Sequence, residues 1–225
     1  AINVEGLEIA GLDQQLKIKG KISEKADDKI SLFFDDLNVS NVDLLLKTDG
    51  LDFDGSLDGS LNLSDAYKTR KLTANLMVKQ FAFNKQTLGD AQILAQWNDE
   101  KAGIDLDLNI IYQGNIARHI PFRASGTIFT SSEAKNNYNL NIETRNYNLS
   151  TLNPFVSSFA SNLKGYASGF FTMTGKFDKP VFEGYLDLIR TEMKIDYLNV
   201  TYSLADRVKI EPEMISASNI TINDS

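Results

Sequence analysis

An alternation of apolar and polar residues recurs along most of this chain and constrains its fold more than any other feature. Successive side chains of a β-strand point to opposite faces, so apolar residues at every second position give a sheet one apolar face. Glycine takes some of these positions. The alternating residues are Leu16, Ile18, Gly20 and Ile22; Leu51, Phe53, Gly55, Leu57, Gly59, Leu61 and Leu63; Leu72, Ala74, Leu76 and Val78; Ile104, Leu106, Leu108, Ile110 and Tyr112; Phe122, Ala124, Gly126 and Ile128; Tyr138, Leu140 and Ile142; Phe182, Gly184, Leu186 and Leu188; and Met193, Ile195 and Tyr197.

Polar residues separate these positions, and turn-forming residues separate the segments at intervals typical of hairpins. The breaks fall at residues 24–28, 64–65, 98–100 and 131–133. Glycines on the apolar face, such as Gly55 and Gly59, favour strong curvature because they remove side-chain bulk. The sequence therefore predicts an all-β fold: an elongated, curved antiparallel sheet with an open hydrophobic trough.

Two segments have helical rather than strand spacing. Leu152, Phe155, Phe159 and Leu163 predict an amphipathic helix with Ser150 as N-cap and Pro154 in its first turn. A weaker counterpart is Ser40 followed by Val42, Leu45 and Leu46. We expect these short helices to plug an open end of the core, and a role at a membrane surface is the alternative.

The two helical segments occupy matching places in an internal repeat. Asn38, Ser40, Gly55, Gly59 and Leu76 recur 110 residues later as Asn148, Ser150, Gly165, Gly169 and Leu186. Upstream, Gly20 and Ile22 correspond to Gly126 and Ile128. Tandem units of this kind extend a structure in one direction. We therefore predict a first β unit at residues 1–100 and a second at 101–225 that continues the same sheet.

Composition excludes some classes of partner. The net charge is -7 among 225 residues, and the basic residues are scattered among acids, which argues against nucleic-acid binding. The chain has no cysteine, so it forms no disulfide framework. Both ends fall within strand-like patterns, the last being Ile220-Thr221-Ile222. We expect a segment of a longer protein, with any targeting signal or membrane anchor outside it.

No residue pattern predicts catalysis or metal binding, so we expect neither an enzyme nor a cofactor. His119 is the only histidine, and no nucleophile elbow or phosphate-binding glycine loop occurs. Asp52, Asp54 and Asp58 around Gly55 resemble a calcium loop only weakly. Strand alternation continues through that segment, so we interpret these acids as residues of the solvent face.

Residues 150–225 carry a resemblance to a known family, most clearly at residues 163–186. Leu163-Lys164-Gly165-Tyr166-Ala167-Ser168-Gly169 is followed by Met173-Thr174-Gly175-Lys176-Phe177-Asp178-Lys179-Pro180-Val181-Phe182-Glu183-Gly184-Tyr185-Leu186. This order of Gly-x3-Gly and Gly-x4-Pro-x3-Gly resembles the C-terminal region of the TamB family, in the AsmA-like lipid-transport group. The stretches 195–202 and 210–212 resemble its Bacteroidetes-like versions. The first half matches mainly through the repeat, with Ser64-Asp65 in place of the Gly-x4-Pro element.

The resemblance implies a periplasmic protein anchored in the inner membrane, whose long β-taco sheet encloses a hydrophobic trough. Such proteins are implicated in moving phospholipid to the outer membrane, and TamB also in outer-membrane protein assembly with an Omp85-type partner. We expect phospholipid acyl chains to lie against one set of residues, for which ordinary core packing is the alternative. These are Leu57, Leu61, Leu63, Leu72, Leu76 and Val78 in the first unit, and Phe171, Met173, Phe182, Leu186 and Leu188 in the second.

Two other functions fit an all-β chain. The first is a scaffold or chaperone that binds precursors of outer-membrane proteins by strand addition. The second is a closed β-sandwich that acts as an adhesin or binds glycans, which requires exposed aromatic platforms. Trp97, the only tryptophan, lies in a regular strand pattern and gives the second alternative little support.

Overall fold

A computed structural model describes residues 1–217 except 12, 41–51, 114–117 and 132. Most of the described residues lie in β-strands. The strands are β1 (Ile2–Ala10), β2 (Gln15–Ile22), β3 (Lys29–Asn38), β4 (Phe53–Ser64), β5 (Lys71–Phe83), β6 (Gln86–Asn98), β7 (Gly103–Gln113), β8 (Arg118–Ile128), β9 (Tyr138–Asn148), β10 (Ala160–Lys176), β11 (Lys179–Ile195), β12 (Val200–Leu204), β13 (Arg207–Glu211) and β14 (Met214–Ala217). A 3-10 turn at Leu149–Leu152 leads into a short helix, α1 (Asn153–Val156).

The described strands form one antiparallel sheet, in which each strand from β1 to β11 pairs with the next along the chain. Near the end of the chain, β12 and β13 pair with different parts of the same edge of β11, and β14 pairs with β13. The sheet is not closed: among the described strands β1 pairs only with β2, β12 only with β11 and β14 only with β13. The predicted all-β fold and open antiparallel sheet are confirmed.

Apolar residues align from strand to strand on one face, here called the inner face. The register connects them into rows that cross the sheet perpendicular to the strands. One row touches every strand except β12 and contains only apolar residues and glycine. It runs Ile9, Leu16, Phe34, Gly59, Leu76, Ile93, Leu108, Ala124, Ile142, Phe171, Gly184, Ile210 and Ile215.

The opposite, outer face is mostly polar, although it also exposes Phe33, Leu94 and Phe170, and its polar side chains hydrogen-bond across neighbouring strands. The Ser31 hydroxyl donates to Asn62 Oδ1 at 2.6 Å. Arg123 donates to Asn109 Oδ1 at 2.7 Å, and the Thr127 hydroxyl donates to Asp105 at 2.7 Å. These polar contacts leave the inner face as the sheet's main apolar surface.

Bulges with a common geometry lie near one end of the strands. At each bulge two residues oppose one, the second of the two has a positive φ, and its N–H donates to a side chain on the neighbouring strand. Asp36 donates to Asp58 at 3.1 Å, Gln80 to Asp90 at 2.9 Å, and Asn146 to Ser168 at 2.9 Å. The Asp36–Asp58 and Asn146–Ser168 bulges are separated by the 110-residue repeat interval.

The strand register also repeats at this interval. Gly59 lies opposite Leu76, and Gly169 lies opposite Leu186. Asn38 and Asn148, 110 residues apart, both accept a backbone N–H two residues later. At these positions the two repeated segments therefore share the same local structure. The division into units at residues 1–100 and 101–225 stays a prediction.

The sheet is curved and open. Cα atoms of β5 and β7 come within 8 Å although β6 lies between them, whereas strands two apart in a flat sheet are separated by about 9.5 Å. The chain exposes 14266 Å² of surface, while a compact monomer of 25.1 kDa exposes about 10,000 Å². An open sheet that is not rolled into a compact globule contributes to this larger area.

The predicted helix at 150–163 is wrong in its extent. α1 ends at Val156, and Leu163 lies in β10. The side-chain amide of Asn153 forms two hydrogen bonds of 2.9 Å with the backbone N–H and C=O of Leu163, which holds that residue in extended conformation. Asn148 caps the preceding 3-10 turn instead of Ser150, whereas Pro154 does lie in the first turn of α1.

Three further sequence-based expectations concern the remaining segments. Val42, Leu45 and Leu46 of the second predicted helix lie outside the described residues, as does the Ile220-Thr221-Ile222 run. Tyr197 was expected to continue a strand, but β11 ends at Ile195 and Tyr197 lies in the turn before β12. Within the described part of the chain, no helix is long and apolar enough to cross a membrane.

Candidate functional site

All residues predicted to line the trough lie on the inner face. In the first unit Leu57, Leu61 and Leu63 of β4 oppose Val78, Ala74 and Leu72 of β5, and Leu76 opposes Gly59. In the second, Met173 of β10 opposes Phe182 of β11, and Phe171, Leu186 and Leu188 oppose Gly184, Gly169 and Ala167. The two groups therefore form equivalent patches on the two halves of the sheet.

Strands β6 to β9 connect these two patches. Strand alternation predicted an apolar face for β7 to β9 but not for β6, and none of these residues was included in the predicted lining. That lining was predicted from the repeat, which covers β4, β5, β10 and β11, although the alternation in β7 to β9 already carried the signal. The connecting residues are Ile93, Leu106, Leu108, Ile110, Phe122, Ala124, Leu140 and Ile142.

Exposure varies along the inner face. Leu57 and Val78 are 9% and 5% exposed and belong to a core cluster with Leu88, Ala91 and Ile110. Phe182, near the β10–β11 turn, is 37% exposed. The other predicted lining residues are half-buried. Among the predicted lining residues, burial is therefore greatest near the bulges of the first unit and exposure is greatest near the β10–β11 turn.

Aromatic side chains pack around the deep part of the face. The Tyr147 ring lies 6.1 Å from the Phe122 ring and packs against the core cluster. Burial raises the pKa of Tyr147, and the Thr151 hydroxyl donates a 3.0 Å hydrogen bond to the Tyr147 hydroxyl. Tyr147 therefore buries its ring and keeps a partner for its polar end.

The helical segment after β9 covers part of the second patch. Leu152 and Val156 pack on a cluster formed by Leu149, Leu163 and Ala167. Leu186 and Leu188 pack against the same cluster. The chain itself therefore shields these two predicted lining residues at the bulge end, and Phe171, Met173 and Phe182 lie farther from that cover along the strands.

Small residues make room along the middle of the inner face. A second row runs from Leu61 through Ala74 and Ala95 to Leu106 and Gly126. A methyl group at Gly126 would lie 2.1 Å from the backbone oxygen of Asn139. Glycine at this position thus allows β9 to approach β8 closely, and the row has little side-chain bulk here.

Charged groups lie on the outer face and at the strand ends. Lys101, Thr127 and Asn98 hydrogen-bond to the carboxylate of Asp105, with Lys101 having the largest effect, and together they lower its pKa to about 2. Lys79 lies 2.8 Å from Asp58 and lowers the pKa of that carboxyl. Neither acid takes part in an inner-face row.

Asp54 and Asp58, which belong to the segment that weakly resembles a calcium loop, and His119 make contacts within the fold. Asp54 accepts the N–H of Gly55 at 2.7 Å, and Asp58 is paired with Lys79. The His119 ring lies 5.2 Å from that of Tyr112. Among residues 1–217 outside the gaps given above, no group of three or more His, Asp or Glu side chains is arranged to hold a metal ion.

Comparisons with known proteins do not extend the assignment beyond the fold. The chain matches no family model, no curated protein and no solved structure.

Proposed function

We propose that this chain binds phospholipid acyl chains on its inner face and shields them from water, without catalysing a reaction. The observation that carries the proposal is the uninterrupted inner-face row from Ile9 to Ile215, which contains no charged or polar residue. An apolar face of a sheet requires a cover, and acyl chains are a cover of matching chemistry.

The dimensions of the row fit this role. At a strand spacing of about 4.8 Å, a row that crosses this sheet is roughly 55 Å long. An acyl chain fills half of a hydrocarbon core that is about 30 Å thick, so several such lengths fit along the row. Burial contributes about 0.8 kcal/mol per CH₂ group, so even partial cover offsets much of the cost of leaving a bilayer.

The chemistry of the face also supports movement along it. Neighbouring positions of the row, such as Ile93, Leu108 and Ile142, present similar aliphatic surfaces. Within the described row no polar side chain fixes a head group at one place. Similar affinity at successive positions permits an acyl chain to shift from one strand to the next.

The TamB resemblance of residues 163–186 supports the same proposal independently of the inner face. We propose accordingly that the parent protein is periplasmic, anchored in the inner membrane, and passes phospholipid to the outer membrane. An Omp85-type protein is its proposed partner there. These statements depend on the family resemblance, whereas the acyl-chain proposal depends on the inner face alone.

Native mass spectrometry of protein purified with added phospholipid tests the proposal. We expect bound phospholipid on the wild type and a loss of at least tenfold in occupancy for Leu76→Asp and Leu186→Asp, because each puts a carboxylate into the apolar rows. The matched control is Asn75→Asp, which adds a carboxylate on the outer face next to Leu76. Lipid-free wild type, or equal loss in the control, contradicts the proposal.

A further inference from the structure

Four large apolar side chains are exposed on two turns at one end of the sheet. Phe155 and Phe159 lie in α1 and the turn that follows it, and Tyr197 and Leu198 lie in the turn between β11 and β12. Tyr197 is 94% exposed, the largest exposed fraction among the large hydrophobic residues of the described chain. We call these four residues the apolar tip.

Backbone contacts hold the two turns together. The N–H of Asp196 donates to the carbonyl of Phe159 at 3.2 Å, and the Ser161 hydroxyl donates to Asp196 at 2.6 Å. Ala160 and Ile195, the end residues of β10 and β11 at this side, are paired. The two turns of the tip therefore lie next to each other and are joined by hydrogen bonds.

Hairpin formation does not require these residues to be apolar. The turn between β5 and β6 lies at the same end of the first unit and consists of Asn84 and Lys85. Soluble proteins seldom expose several large apolar side chains together unless they meet a partner or a membrane. The exposure of these four apolar residues therefore indicates a contact with a partner or a membrane.

We propose that the apolar tip inserts into the interfacial region of a phospholipid bilayer. The inference deepens the proposed function, on which it rests, by naming where lipid enters or leaves the sheet. The tip is continuous with the inner face: Val156 of α1 packs in the cluster that contains Leu188 and Met193, and Phe155 lies 6.2 Å from Phe83. Apolar packing therefore connects the tip to the inner face.

The shape and charge of the tip favour a bilayer over a protein partner. The side chains project from turns instead of lining a groove, and Phe and Tyr are suited to the head-group region of a membrane. Lys164 lies opposite Glu192 in the strand register, and Asp196 is part of the tip's own turn. The charges are mixed, so we expect insertion into vesicles of zwitterionic phosphatidylcholine, which has no net charge, with little dependence on salt.

Site-specific labelling tests insertion directly, because the chain has no cysteine of its own. A Tyr197→Cys variant of the full chain is labelled with an environment-sensitive NBD group and mixed with phosphatidylcholine vesicles. We expect a blue shift and an increase of at least twofold in NBD emission. The matched control is Tyr67→Cys, which labels a turn at the opposite end of the strands where the tyrosine is 58% exposed, and its emission stays unchanged.

Vesicle co-sedimentation of unlabelled protein provides the second measurement. The double substitution Tyr197→Asp and Leu198→Asp is expected to lower the partition coefficient at least tenfold, and Tyr67→Asp to leave it unchanged. Lack of wild-type partitioning, or equal loss in both variants, overturns the tip proposal. If the protein binds lipid on its inner face but does not partition onto vesicles, the tip proposal is overturned and the proposed function stands. If it partitions onto vesicles without binding lipid on its inner face, the proposed function is overturned and insertion of the tip stands.

Discussion

Gly59 occupies a place in the inner-face row where only glycine fits. Its φ is +125°, and a methyl group there would lie 2.2 Å from the backbone oxygen of Asn75. We expect Gly59→Ala to lower the free energy of unfolding by about 1–3 kcal/mol, the usual cost of a strained backbone position. Urea denaturation measures the change.

The matched control for this glycine is Gly11→Ala. A methyl group at Gly11 has its nearest neighbour, Gln14 Cβ, at 3.9 Å. We expect a change within about 0.5 kcal/mol for this exposed substitution. Equal destabilisation by both substitutions would show that close strand approach is not the reason for glycine at position 59.

Asp105 links stability to pH. Its folded-state pKa of about 2 lies below the ordinary value of 3.8, chiefly because Lys101 hydrogen-bonds to it. A depressed carboxyl pKa stabilises the fold above the unfolded-state value, and this contribution is lost as pH falls from about 4 to 2. We expect Asp105→Asn to lower Tm at pH 7 and the difference from wild type to shrink below pH 4.

Thermal unfolding followed by circular dichroism between pH 7 and pH 2.5 measures this difference. Glu100→Gln, in the exposed turn beside Lys101, serves as the control for removing one acid from the same hairpin. A Tm difference that stays constant across the pH range would mean that the charge of Asp105 is not the cause of the lower Tm of Asp105→Asn.

At the scale of elements, the Asn153 amide joins α1 to β10. It pairs with both the N–H and the C=O of Leu163, a buried residue. We expect Asn153→Ala to lower the free energy of unfolding by about 1–3 kcal/mol, because buried backbone groups lose their partners. Ser157→Ala, which removes one exposed hydrogen bond to Pro154, should cost well under 1 kcal/mol, and similar costs would contradict this role.

Period-2 alternation was sufficient to predict the strands but insufficient to predict the short helix. Leu152, Phe155, Phe159 and Leu163 have helical spacing, yet the first two lie in helical turns, Phe159 in a turn and Leu163 in a strand. The spacing alone carries no information about the Asn153 contact that ends the helical segment. Tyr197 was assigned to a strand for a similar reason, since alternation does not reveal where pairing stops.

The candidate site was partly predictable, because alternation identifies which residues share a face within one strand. It does not identify the phase changes at bulges: Phe34 and Leu37 both belong to inner-face rows although they are three residues apart. Alternation also does not give the register between strands, so only the structure shows that the inner-face rows continue through β6 to β9. The repeat predicted that the two units would be alike, and it could not predict that Leu152 and Val156 cover one patch.

At the scale of the whole molecule, the sheet has one extended apolar inner face and a mostly polar outer face. Its edge strand β1 keeps Ile2, Leu7 and Ile9 exposed, so the inner-face rows reach the edge without a charged boundary. Lipid binding is therefore expected to be a property of many strands together.

The most direct test of the central claim uses Trp97, the only tryptophan, as a sensor. Trp97 pairs with Ile104 in an inner-face position, and its indole N–H donates to Asp99 at 3.0 Å. Brominated lysophosphatidylcholine, kept below its critical micelle concentration, should quench Trp97 emission if acyl chains occupy the inner face. In a Trp97→Phe and Gln96→Trp variant the tryptophan lies on the outer face, and we expect little quenching. Equal quenching at both positions, or none at Trp97, contradicts the account.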